Sequence, residues 1–113
     1  MFTTTDPLGR GITLTAKTWN THISNRHTVL DQQIKAVQKT IEDPEIILPD
    51  KEHANRENYF RLCIFPIVPY IVVLKVVTDL TGGVRQVWTA YTVEDNMRTQ
   101  TSIPKGGAIY VRP

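Results

Sequence analysis

Residues 59–92 read YFRLCIFPIVPYIVVLKVVTDLTGGVRQVWTAYT, and the hydrophobic period inside them decides the fold class. Tyr59, Arg61 and Cys63 alternate with Phe60, Leu62 and Ile64. Successive side chains of a strand point to opposite sides, so Tyr59 to Phe65 is an extended element with two unlike faces. Pro66 and Pro69 break it, because proline cannot donate to a strand ladder. Tyr70 to Thr78 is rich in Ile, Val and Leu, with Lys75 as its only interruption, which is the composition of a central strand. Asp79-Leu80-Thr81-Gly82-Gly83 follows as a hairpin loop whose glycines accept the positive φ values of tight turns. Val84 to Thr92 then returns. Simple alternation puts Arg85, Val87, Thr89 and Tyr91 on one face and Trp88 and Ala90 on the other.

Upstream, Glu45 to Leu48 reads as a short strand joined to this block by the polar run Pro49 to Asn58. Before it the period becomes helical. Val29, Leu30, Ile34, Val37 and Ile41 form one apolar stripe opposite Asp31, Lys35, Lys39 and Glu42, behind a capping-box-like pair of Thr28 and Asp31. Asp43-Pro44 stops this helix, since the residue before a proline is driven out of the α region. Ala16 to Asn25 is a first helix with Thr13 or Thr15 as N-cap and Trp19, Ile23 and Arg26 on one face; His22 lies at the edge of that stripe. Residues 1–12 hold Pro7, Gly9 and Gly11, turn formers dense enough to suggest an arm or loose cover. Beyond the block, Val93 to Lys105 is polar, and Gly107 to Arg112 supplies a last short strand. The sum is an α+β fold with two N-terminal helices packed on one face of a four- to five-stranded antiparallel sheet, the opposite face staying partly free to bind. Trp19 and Trp88 are read as core anchors.

A chain of 113 residues buries one core and is too short for two, so residues 1–113 form a single domain. With 41% hydrophobic and 21% charged residues, it is globular, not disordered or fibrous. A single cysteine, Cys63, forms no internal disulfide, and residues 1–6 show no secretory pattern, so a cytoplasmic setting is expected. The apolar run Leu62 to Val77 is interrupted by Pro66, Pro69 and Lys75 and falls short of the roughly 18–20 apolar residues of a membrane helix. Net charge is +2 and the pI about 8.8, so an anionic partner would be held by a few placed cations, not by a general field.

Four short motifs carry a family resemblance: Trp19-x-x-His22-Ile23-x-x-x-His27, Tyr59-Phe60-Arg61, Val87-x-Thr89-Ala90-Tyr91 and Gly107-Ala108-Ile109-Tyr110-Val111. In this order, from Thr15 to Val111, the chain resembles phage-associated members of the barnase, EndoU, colicin-tRNase and RelE-like (BECR) nuclease superfamily. The resemblance implies a metal-independent endoribonuclease without cofactor, often a toxin, that cleaves RNA by attack of the ribose 2′-hydroxyl on the adjacent phosphodiester. An antitoxin or immunity protein is the partner it suggests.

Such chemistry needs a base, an acid and cations or donors around the phosphorane. His22, titrating near neutrality, is the candidate for proton transfer, set against a plain histidine packed at a domain edge. Arg26, four residues on, suits a phosphate beside His22 or a solvated helix end. Arg61 is a candidate catalytic cation or one half of a cross-strand ion pair, and Tyr59 shares its face as a candidate substrate contact. Tyr91, as a further catalytic candidate, and Thr89 suit hydrogen bonding to phosphate or stacking on a base, although strands use both for packing. Lys75 is an additional candidate cation, with edge protection or a snorkelling side chain as the equally good alternative. His27 sits about 140° round a helix from His22 and reads as a boundary residue. No histidine pair has zinc spacing, Cys63 has no evident base, and there is no glycine-rich phosphate loop, so no metal or nucleotide cofactor is expected. Glu52, Glu57, Glu94 and Asp95 in the flanking loops suit selection of a structured RNA or a basic antitoxin. The rival to an enzyme is a catalytically silent module of the same fold, holding protein or nucleic acid on its free sheet face.

Overall fold

The alternating block of residues 59–92 forms the middle of a larger sheet. The computed structural model describes residues 1–24, 33–65, 68–93 and 107–113. In chain order the elements are β1 (Phe2–Thr5), β2 (Gly11–Leu14), α1 (Ala16–Thr18) continued by a π-helical turn (Trp19–Ser24), α2 (Ile34–Glu42), β3 (Ile46–Pro49), β4 (Arg56–Phe65), β5 (Val68–Thr81), β6 (Val84–Val93) and β7 (Tyr110–Val111). The seven strands lie in the order β1-β2-β6-β5-β4-β3-β7. Neighbours are antiparallel except β2 and β6, which run parallel through the pair Thr13 and Gln86. The α+β class is as expected, but the sheet is larger and mixed, not a four- to five-stranded antiparallel one. No described helix is long and apolar enough to cross a membrane.

The extra strands come from the segment expected to be an arm. Residues Phe2 to Thr5 pair with Gly11 to Leu14, and the turn formers between them build the connection instead of preventing one. Asp6 organises that turn: its Oδ1 accepts the backbone N–H groups of Leu8 and Arg10, both at 3.0 Å. Gly9 supplies a φ of 80°, a conformation that costs a residue with a Cβ.

The central hairpin is tighter than the expected loop. Asp79 and Leu80 continue the ladder opposite Gln86 and Arg85, leaving only Gly82 and Gly83 between Thr81 and Val84. Their φ values of 60° and 80° meet the demand of a two-residue turn for positive φ at both central positions. β4 begins at Arg56, inside the run expected to be a connection, and β5 already includes Pro69.

Thr15 caps α1, its hydroxyl accepting Thr18 N–H at 3.2 Å. In α2 the stripe holds where it is described: Val37 and Ile41 are fully buried, and the helix stops at Asp43 before Pro44. Thr28 to Asp31 lie outside the described residues. Trp19 and Ile23 from the π-helical turn join Val37, Ile41, Ile47, Tyr59, Leu74, Val76 and Ala90 in one core, so the helices cover a single face of the sheet. The other face carries a smaller cluster of Leu48, Phe60, Val73 and Val93.

The register shifts between Ile64 and Phe65 in the β4–β5 pair, and simple alternation fails again in β6. The register passes from Val77 opposite Thr89 to Thr78 opposite Val87, which leaves Trp88 as the extra residue of a β-bulge. Arg85 and Val87 therefore stay on the helix side, while Thr89 and Tyr91 lie on the opposite face. Trp88 turns out with them and is 46% exposed, so of the two expected core anchors only Trp19, 6% exposed, is one.

Candidate nucleic-acid interface

On the face away from the helices, the register aligns Arg56, Asp79 and Gln86 in one row, then Asn58, Val77 and Thr89, then Phe60, Lys75 and Tyr91. Three cation–aromatic contacts result, one from Arg56 and two from Lys75. Arg56 lies 4.4 Å from the Trp88 ring centroid, and the Lys75 ammonium lies 5.3 Å from Tyr91 and 5.8 Å from Phe60. A cation over an aromatic face is held by the ring quadrupole, which keeps both positive charges close to flat stacking surfaces.

Asp79 anchors the first pair. Its Oδ2 accepts Arg56 Nε–H at 3.0 Å, and its Oδ1 accepts Thr81 Oγ1 at 2.7 Å and Asn55 Nδ2 at 3.0 Å. The Thr81 hydrogen bond, followed by the contacts with Arg56, outweighs burial and holds this carboxyl below its ordinary pKa. Beside it a cleft of about 280 Å³ is lined by Thr18, Asp79, Thr81, Gln86, Val87 and Trp88.

The residues expected to share one site are divided by the sheet. Thr89 and Tyr91 stand together with Lys75 on the face described above. Arg61, opposite Leu74, lies on the helix side. Its guanidinium bonds the Asp43 carboxylate at 2.8 Å and the Asp43 carbonyl at 2.5 Å, and Arg112 joins the same carbonyl at 2.6 Å. Two arginines thus satisfy the negative C-terminal end of α2, where cations are favoured.

Tyr59 is fully buried in the core. Its hydroxyl donates to Asp6 Oδ2 at 2.6 Å, and that oxygen also accepts Arg10 Nε–H at 2.9 Å. Arg10 extends through both terminal nitrogens to Glu57 at 2.7 and 3.2 Å, and Arg85 approaches Glu57 at 3.4 Å. Burial, then the bond to Asp6, pushes the Tyr59 phenol well above its ordinary pKa. Burial alone would raise Asp6; the bonds from Tyr59 and Arg10 outweigh it and hold the carboxyl low. This network ties the N-terminal hairpin to β4 and leaves Tyr59 away from any surface.

His22 lies on the π-helical turn, four residues beyond Thr18. Its side chain, like the whole of Arg26 and His27, lies outside what is described. Sequence reading missed Trp88 and Arg56 as site residues. A bulge leaves no mark in an alternating pattern, and Arg56 was assigned to a connection even though Arg56, Asn58 and Phe60 continue the period of β4. No protein-family model, curated protein or solved structure matches the chain.

Proposed function

We propose that the chain is a metal-independent endoribonuclease of the BECR kind, a cytoplasmic toxin or phage-borne effector held in check by an antitoxin or immunity protein. The observation that carries the reading is the gathering of Thr89, Tyr91 and Lys75 on one sheet face beside Arg56 and Trp88. Aromatic surfaces interleaved with cations are what unpaired RNA binds, by stacking and by phosphate neutralisation. In this reading Tyr91 and Thr89 donate to the phosphate or stack, and Lys75 and Arg56 take the clamping role expected of Arg61; His22 is the proton-transfer candidate, carried on a turn that packs on the other side of the sheet from Thr89 and Tyr91. Arg26 remains a candidate phosphate contact.

The test is cleavage of total RNA by purified protein in EDTA, together with growth on expression. Cleavage and arrest, both relieved by His22→Ala with an unchanged circular dichroism spectrum, support the enzyme. Intact RNA and a harmless, folded wild type refute it. A second reading, the silent binding module, is favoured by one specific observation: Arg61 and Tyr59 are both committed to holding the fold together. RNA or a co-encoded protein recovered from cells, without cleavage, supports that module.

A further inference from the structure

We infer that the cleft beside Trp88 is a subsite for a single unpaired nucleobase, which makes single-stranded RNA the substrate class; this rests on the ribonuclease reading and sharpens it. The bulge is the starting point. Val87 faces the helix-side core and Thr89 the opposite face, and Trp88, the extra residue between them, is 46% exposed. Bulges re-aim side chains in this way beside functional sites. Arg56 stacks on the ring at 4.4 Å and is itself fixed by Asp79, so the platform is held in place before a ligand arrives.

The lining selects a base over a phosphate. The cleft of about 280 Å³ is lined by Thr18, Asp79, Thr81, Gln86, Val87 and Trp88. A carboxylate repels phosphate, whereas hydroxyls and an amide hydrogen-bond either donors or acceptors. Asp79 already accepts three hydrogen bonds, from Asn55, Arg56 and Thr81, which leaves it little capacity to read a base edge. The subsite therefore takes any base by stacking, with weak sequence preference. Tyr91, three residues along β6, offers the neighbouring base its own surface, and Lys75 places a positive charge there. A base held in a duplex cannot enter without leaving its stack.

The experiment uses the full chain with a 2′-O-methyl oligoribonucleotide, which cannot be cleaved, so binding is measured whether or not the protein is a nuclease. Tryptophan fluorescence reports the site directly because Trp19 is buried and Trp88 exposed. The single strand should quench the emission and bind Trp88→Ala roughly 10- to 100-fold more weakly, as expected for one lost base stack. Trp88→Phe should recover most of the affinity, and a blunt duplex of the same sequence should bind weakly. Equal binding by wild type and Trp88→Ala, equal binding of duplex and single strand, or no binding of any strand overturns the subsite. A protein partner that competes for Trp88 while RNA does not bind overturns it equally. Loss of cleavage with Trp88-dependent binding intact removes only the nuclease reading.

Discussion

Replacing Tyr59 by Phe separates a residue that touches substrate from one that holds the fold. The phenol oxygen is the only atom lost, so the ring keeps its place in the core and almost no cavity forms. What disappears is one of the four hydrogen bonds on the Asp6 carboxylate, whose other donors are the N–H groups of Leu8 and Arg10 and the Arg10 guanidinium, together with the longer bond of 3.2 Å that the phenol oxygen accepts from Arg10 Nη2. The Asp6 side chain is fully inaccessible, so water cannot replace that donor. A hydrogen bond to a charged group is worth about 1.5–3 kcal/mol, which sets the expected loss near 2 kcal/mol. For a chain of this length that lowers the thermal midpoint by about 8 °C. The difference also depends on pH. Asp6 has a depressed pKa, so its stabilisation is present above the unfolded value of about 3.9 and fades as the folded value is passed on acidification. The Tyr59 phenol has a raised pKa, so its contribution is complete below about pH 10 and fades above it. Urea unfolding across pH should therefore show the largest gap between wild type and variant from about pH 5 to 9, narrowing on both sides. On the proposed ribonuclease reading, RNA binding and cleavage measured well below the melting range should be unchanged. An unaltered midpoint, or activity lost at unaltered stability, would refute this account and return Tyr59 to the substrate.

Three further outcomes are expected. Gly83→Ala forces a Cβ into a residue at φ 80° and should cost about 1–2 kcal/mol, read as a lower urea midpoint; an unchanged midpoint contradicts the turn geometry. Asp79→Asn removes a carboxyl with a depressed pKa, so the variant should be less stable than wild type at pH 7. That gap should close as the pH falls below about 4, and a gap constant from pH 7 to 3 excludes the role given to Asp79. Lys75→Met preserves the packing of the stem while deleting its charge, and should lower the slope of log affinity against log salt for single-stranded RNA by about 0.7; an identical slope means that Lys75 meets no phosphate.

The local elements of this protein are written in its local sequence. The alternation of Tyr59 to Phe65, the β-branched run before Thr78 and the Gly82-Gly83 pair each act within a few residues, and each yields the expected strand or turn. The Val37 and Ile41 stripe and the Asp43-Pro44 stop do the same for α2. Thr89 and Tyr91 likewise share a face, as their spacing requires. Tertiary structure decided the rest. Alternation says which residues share a face but not which face the helices cover, so only the packed sheet separates Arg61 from Tyr91. The bulge at Trp88 shifts the register by one residue, and in a structure of period two one residue is enough to put Arg85 and Val87 on one face and Thr89 and Tyr91 on the other. The N-terminal hairpin depends on Asp6 and Arg10 meeting Glu57 and Tyr59, residues about fifty positions away in sequence, and a contact of that range has no local pattern from which it can be read.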